Sequence, residues 1–286
     1  MAMTENPLRF VSLGAGVQST VMLLMGEQGA FGDPPDAAIF AGTGWEPAQV
    51  YAHLDWLESE TNIPIHRVTN GSSLYDDTLS GISNDGFRFS RIPAYSLNKD
   101  GTRGQIKRQC TSHYKILPIH RKARELVGLG PRSGKTAPGM IEQWIGISKD
   151  EIHRMKPTGV QYITSRWPLI EAKMTRLDCL AWFQERYPGR PLVKSSCIGC
   201  PYHSDKQWLE LSRADPEGMQ RTIDLDHSLR SKDRPQRFAS EVPKYLHNSL
   251  QPLDQVLERL ERLDAEGQQL SMLDGMGNEC EGLCEV

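Results

Sequence analysis

The chain has 286 residues, enough for one large domain or for a core domain with a smaller appendage. Hydrophobic residues make up 38%, charged residues 24%, and the net charge is −3, which excludes a protein drawn as a whole to nucleic acid or to a membrane surface. No apolar run has the length of a membrane span, and "MAMTENPLRF" has neither the basic nor the apolar region of a signal peptide, so a cytoplasmic location is expected.

In chain order, the apolar run Leu8 to Leu13 ends in glycines and predicts a strand, and "VQSTVMLLMGEQG" after it has helical apolar spacing. "DAAIFAGTG" repeats the pattern, followed by the helical "EPAQVYAHLDWLESET" and by a third strand in "IPIHRVT". Such alternation predicts an α/β fold, a doubly wound parallel sheet with helices on both faces. From Thr69 to Gly104 the composition is polar and reads as a long loop or lid. "IEQWIGIS" is a fourth strand candidate, ending at Gly146.

"TRLDCLAWFQ" reads as a helix capped by Thr175, with Leu177, Cys179, Leu180 and Ala181 on its buried side. Another helix is expected after "CIGCPYH", and a docked one where Leu253, Val256, Leu257, Leu260 and Leu263 recur at helical spacing; that seam could also serve a homodimer. The last twenty residues read as a flexible tail. The expected division is residues 1–210, a nucleotide-binding domain with the metal-site cysteines, and 211–286, a helical extension with a cysteine-containing tail.

In a parallel sheet, ligands bind beyond the carboxyl ends of the strands. "SLGAGVQST" occupies the first such turn: Gly14 and Gly16 would let backbone N–H groups approach an anion, and Ser12, Ser19 and Thr20 offer hydroxyls to phosphate oxygens. The same glycines also suit a tight turn without a ligand. "GPRSGKT" has the closing residues of a Walker loop but no preceding strand, and is set aside as a loop.

Several blocks together carry more. "GAGVQS" at 14–19, "FAGTGWEPAQVY" at 40–51, "RQCTSHYKILPI" at 108–119, "GISKDEIHR" at 146–154, "WPLIEAKMTRLDCLAW" at 167–182 and "CIGCPYH" at 197–203 occur in an order that resembles the PP-loop ATP pyrophosphatases, with their HUP-like fold, and within them the phosphoadenylyl-sulfate (PAPS) reductase branch. The resemblance covers roughly residues 8–210. It implies an adenine nucleotide (ATP or an adenylyl-sulfate nucleotide) held by Ser12, Gly14, Gly16, Ser19, Thr20, Thr43, Gly44, Arg108, Lys115 and Arg154. Gln18 and Gly42 replace two expected acids, so a Mg2+ near a pyrophosphate would fall to Asp150 and Glu151, or the loop binds a nucleotide without splitting it.

The six cysteines are 110, 179, 197, 200, 280 and 284, and a reducing compartment turns them from disulfides toward metal, redox chemistry or burial. Cys179 reads as a core residue. For Cys110, Cys197 and Cys200 the resemblance implies an iron–sulfur cluster, most simply 4Fe-4S, with a fourth position left open or filled by Cys280, Cys284, His203 or His113. A zinc site from the same thiols with a histidine is the alternative, as is no metal.

"NECEGLCEV" is similar to the C-terminal Glu-Cys-Gly motif that carries a catalytic cysteine in PAPS reductases, which makes Cys280 and Cys284 candidates, although Glu279, Glu281 and Glu285 oppose a reactive thiolate. Residues 99–124 hold Lys99, Arg103, Lys107, Arg108, Lys115, Arg121, Lys122 and Arg124 against one acid, Asp100, a segment suited to the acidic tail, to nucleotide phosphates, or to tRNA or DNA.

Three functions are therefore expected in competition. One is an ATP-dependent sulfurtransferase that thiolates tRNA or builds DNA phosphorothioate, with a cysteine desulfurase as sulfur donor. Another is an adenylyl-sulfate or phosphoadenylyl-sulfate reductase served by a thioredoxin-type reductant. The third is a non-catalytic nucleotide-binding subunit with a structural metal.

Overall fold

The structure is a computed structural model that describes residues 7–80, 92–130, 136–231 and 242–268. Strands β1 (Leu8–Ser12), β2 (Ala37–Ala41) and β3 (Ile65–Val68) alternate with helices α1 (Val17–Glu27) and α2 (Ala48–Glu60). Next come α3 (Leu74–Ser80), the short strands β4 (Tyr95–Leu97) and β5 (Arg103–Gln105), and a π-type turn, Thr111–Ile116, that runs into α4 (Leu117–Leu126). Then follow β6 (Ile141–Ile145), β7 (Ile163–Arg166), α5 (Pro168–Glu171), α6 (Arg176–Arg186), α7 (Asp205–Ala214), α8 (Pro216–Ser228), β8 (Lys244–Tyr245) and α9 (Leu253–Ala265).

Five strands form one parallel sheet in the order β3-β2-β1-β6-β7. Successive side chains of a strand point to opposite faces. Val11 accordingly joins Val21, Leu54, Trp144 and Phe183 in a core with α1, α2 and α6, while Phe10 joins Ile39, Ile119, Ala123 and Ile141 beneath α4. Helices on both faces make this the arrangement of an α/β doubly wound fold. The strand order reverses between β1 and β6, so a ligand crevice is expected beyond their carboxyl ends.

A second core lies beyond the sheet. Leu74, Tyr114, Trp208, Leu225, Leu253 and Leu260 draw α3, α7, α8 and α9 together beside a three-stranded sheet ordered β5-β4-β8. Asp226 is wholly buried at its centre, accepting from Leu246 N at 2.9 Å and Leu253 N at 3.0 Å and pairing with Arg230 at 2.7 Å.

Several sequence expectations need correction. The stretch from Thr69 to Gly104 is not one loop, since α3, β4 and the start of β5 lie in it; residues 81–91 fall outside the described chain. Apolar Leu74 and Tyr75 are buried there behind a polar composition. The division at 210/211 cuts through α7, whose Trp208 and Leu209 belong to the second core. On α6 the Thr175 cap and buried Cys179 are as expected, but Leu177 and Leu180 are 75% and 37% exposed and the inward residue beside Cys179 is Phe183. The seam of α9 is spent inside the chain, with Leu253, Val256, Leu257 and Leu260 buried. Among the described residues no helix is long and apolar enough to cross a membrane.

Candidate functional site

β1 ends at Ser12, and the chain turns through Gly14, Ala15 and Gly16 into α1. The left-handed residue of that turn is Ala15, at φ 58°, not a glycine. No side chain caps α1, although its first residues Val17, Gln18 and Ser19 are buried. A buried helix start without a cap leaves N–H groups that call for an anion or water. Opposite, β6 exits through Gly146, where a Cβ would stand 2.9 Å from Ser19 N, so only glycine lets the two strand exits close on one crevice.

Two candidate residues of the crevice carry buried polar atoms with no hydrogen bond among the described residues, Ser12 Oγ and Arg154 Nε. An unsatisfied buried donor costs about 1–3 kcal/mol, so such atoms point to a missing partner. Ser19 Oγ instead turns back to Gly16 O at 3.4 Å. Thr20 is withdrawn from the loop altogether, its hydroxyl 2.9 Å from His53 Nε2 between α1 and α2. In this structure that hydroxyl is engaged by His53 rather than directed at the crevice.

Gln18 is fully buried and bridges three elements, donating to Glu151 at 3.0 Å and accepting from Arg176 at 2.9 Å. Glu151 also pairs with Arg154 at 2.5 Å. Burial alone would raise the carboxyl of Asp150, but bonds from Ser148 and from Arg176 N hold it below the usual range. Glu151 thus reaches Gln18 of the loop, Asp150 is bonded to Arg176 N at the start of α6, and both carboxylates have protein partners.

An open cavity of about 570 Å³ begins at Val17 and is walled by Arg176, Leu180, Arg190, Leu192 and Lys194. Leu180 is exposed because it faces this cavity. Sequence reasoning missed Arg176, Arg190 and Lys194; an arginine opening α6 and an arginine and a lysine after the Gly189 turn that follows it were the available signal, and only the fold makes them neighbours.

The cysteines meet elsewhere. Cys110, Cys197 and Cys200 line one small cavity of about 30 Å³ together with Thr43, Trp45, Arg108 and Lys115. Cys110 precedes the π-type turn, a local form frequent at functional sites, which is fixed by a hydrogen bond from Tyr114 to buried Asp77. The C-x-x-C turn is held to the β2–α2 loop by Ile198 N donating to Trp45 O at 2.9 Å. Thr43 Oγ1 lies 3.2 Å from Cys197 Sγ and donates to Glu46 at 2.7 Å.

Expected nucleotide contacts Thr43, Arg108 and Lys115 are therefore at the thiol cavity, while Gly44 makes a left-handed turn (φ 71°) against Ser73. Burial pushes all three thiols up; for Cys110 and Cys200 the cations of Arg108 and Lys115 pull the other way. Among the described residues no three His, Cys, Asp or Glu side chains form a group that could hold a metal ion. His203 is turned away, its Nε2 2.9 Å from the carbonyl oxygen of Cys197, and neither it nor His113 lines the cavity.

In the basic segment Lys122 pairs with Glu125, and the Arg103 and Arg124 guanidiniums lie over the rings of Tyr95 and Tyr162. Tyr95 and Tyr114 are 3% and 0% exposed, which removes them as stacking platforms for bases. Cys280, Cys284 and most of "GPRSGKT" lie outside the described residues.

No protein-family model matches the chain. No curated protein matches it either. What fold and site define is an α/β protein with an uncapped helix at its switch-point crevice and three thiols converging on a separate cavity.

Proposed function

We propose that the protein is an adenine-nucleotide-dependent sulfur-transfer enzyme of the PP-loop, PAPS reductase-like type, holding an iron–sulfur cluster on Cys110, Cys197 and Cys200. The observation that carries this reading is the convergence of those three thiols, the first 87 residues before the second by their numbers, on one cavity with two cations. Thiolate is the donor that iron–sulfur clusters take, and the charge of Arg108 and Lys115 together with that of the metal offsets the cost of buried thiolates. A cluster binds its thiolates on separate irons, so it does not require the tight ring of ligands that one ion demands. The cavity as it stands has room for about one water, so its lining would have to draw back to admit the group.

The nucleotide's phosphates would lie at the start of α1, within reach of Ser12 and Arg154, and the neighbouring cavity of about 570 Å³ is in the size range of small-molecule sites. Adenylation of a target oxygen, with release of pyrophosphate, would prepare it for replacement by sulfur; Arg176, Arg190 and Lys194 would bind and orient the phosphates and balance their charge. When bound, the cluster supplies a soft metal site for sulfur. The acceptor class is tRNA or DNA, met by the exposed Lys99, Arg103 and Lys107.

One observation favours a second reading. Glu151 and Asp150 are both engaged by protein groups, so neither stands free for Mg2+, and a nucleotide that needs no metal-assisted pyrophosphate cleavage suits the crevice. That substrate would be adenylyl sulfate or its 3′-phosphorylated form, reduced with help from Cys280 or Cys284. Incubating the anaerobically purified protein with ATP, a nucleic-acid acceptor and sulfide as sulfur source, and separately with each sulfonucleotide and a thioredoxin-type reductant, separates the two. AMP with pyrophosphate supports sulfur transfer, sulfite supports the reductase, and neither product removes both.

A further inference from the structure

Beside the large cavity at the start of α1 lies a second one, of about 340 Å³, between the start of α2 and α7. Leu192, Val193, Lys194 and Gln207 wall both, so the segment that follows α6 is a boundary they share. The two differ in charge. Arg176, Arg190 and Lys194 wall the larger cavity, and no acidic residue stands with them among the described residues. In the smaller, Lys194 at the shared boundary is offset by Glu210, and Val50, Leu192, Val193 and Leu211 are apolar. An occupant of both would be anionic at one end and uncharged and largely apolar at the other.

Hydrogen bonding divides the same way. Gln49, on the wall of the smaller cavity, donates Nε2 to Ala214 O at 2.8 Å, which orients the amide and leaves its buried Oε1 with no hydrogen bond among the described residues. A buried acceptor without a donor points to a missing N–H or O–H. On the wall of the larger cavity, Arg190 Nε is a buried donor without an acceptor, and the guanidinium is held 3.9 Å from the centre of the Trp56 ring.

We infer that the two cavities form one nucleotide site, with the phosphates in the larger and the base in the smaller, where Gln49 Oε1 accepts a hydrogen bond from an amino group of the base. This inference rests on the nucleotide reading above and not on the cluster. A base with a carbonyl in place of that amino group sets oxygen against oxygen, so the site selects adenine over hypoxanthine.

The test titrates full-length protein calorimetrically with ATP, adenylyl sulfate, inosine triphosphate and inorganic tripolyphosphate. Wild type is compared with Ala214→Trp, which fills the smaller cavity from the end of α7, and with Gln49→Leu, each checked by circular dichroism. Wild type should prefer ATP to inosine triphosphate by about tenfold, the worth of one hydrogen bond. Ala214→Trp should weaken the adenine nucleotides and leave tripolyphosphate unchanged, and Gln49→Leu should erase the preference for ATP over inosine triphosphate. Adenine-nucleotide affinity that neither variant lowers, or an equal loss for tripolyphosphate, overturns the inference and leaves the nucleotide reading intact. Wild type that binds neither ATP nor adenylyl sulfate overturns that reading and this inference with it. Should Ala214→Trp fail to fold, Gln49→Leu decides by the same outcomes.

Discussion

Gly199 lies so close beneath the indole of Trp45 that a methyl group there would stand 2.0 Å from the ring. The tip of the C-x-x-C turn is thus clamped by the loop that leaves β2, and the thiols are positioned by the same loop that carries Thr43. Gly199→Ala should destabilise the protein by about 1–3 kcal/mol through overpacking. Urea denaturation measures this, and iron content should fall in the same variant because the turn moves with its cysteines. An unchanged midpoint would show that the clamp is loose.

Ser12 offers a sharper separation of binding from stability. Its hydroxyl is buried and has no hydrogen-bond partner among the described residues, so Ser12→Ala should leave the free protein as stable as wild type or slightly more so. Loss of one hydrogen bond to a charged phosphate, about 1.5–3 kcal/mol, should weaken nucleotide binding at least tenfold. Calorimetric titration with ATP, with and without Mg2+, gives the number. Equal affinity in the variant would place the phosphates elsewhere.

Glu151 balances Arg154 and holds Gln18, and the side chains of the ion pair are only 16% and 10% exposed. Glu151→Gln leaves a buried guanidinium without its counter-charge and should cost about 3 kcal/mol in stability. If the unfolding midpoint does not move, the pair is worth no more than a surface salt bridge.

His53 gives the stability a pH dependence. Burial, helped by the nearby charge of Arg190, pushes its pKa down to about 4 from 6.5. The unfolded chain therefore binds a proton that the folded chain refuses between those values, and stability falls as pH drops from about 6.5 toward 4. The full span corresponds to roughly 3 kcal/mol at most. His53→Gln should flatten that part of the profile in urea midpoints read across the window; an identical slope would assign the acid sensitivity to other groups.

Asp226 ties α8, β8 and the start of α9 with its two oxygens. Asp226→Ala should cost about 3–5 kcal/mol, since it strands Arg230 and two backbone donors. Thermal melting of the variant should show the loss, and a shift of no more than a degree or two would contradict it.

Much of this was legible from residue pattern. β1 and β2 are apolar runs closed by glycine, β6 stops at Gly146, and the capping Thr175 and the seam of α9 announced their helices. β7, "ITSR", is a polar edge strand that carries no such signal, and α3 was hidden because acids at 76 and 77 mask buried Leu74 and Tyr75. Site residues divided the same way. Residue types placed Cys110 with the C-x-x-C only through resemblance, whereas the partnership of Gln18 with Arg176, 158 residues on, depends on how α6 crosses α1. Thr20 and Thr43 have the right chemistry for phosphate, but local packing commits them to His53, Glu46 and Cys197.

Three thiols distant in sequence are proposed to hold one cluster. Iron and acid-labile sulfide should be measured in protein purified without oxygen, wild type beside Cys110→Ala, together with the visible spectrum. A brown wild type containing both elements and a bleached variant that has lost them are expected. A colourless wild type, or a variant that keeps its full cluster, would contradict it.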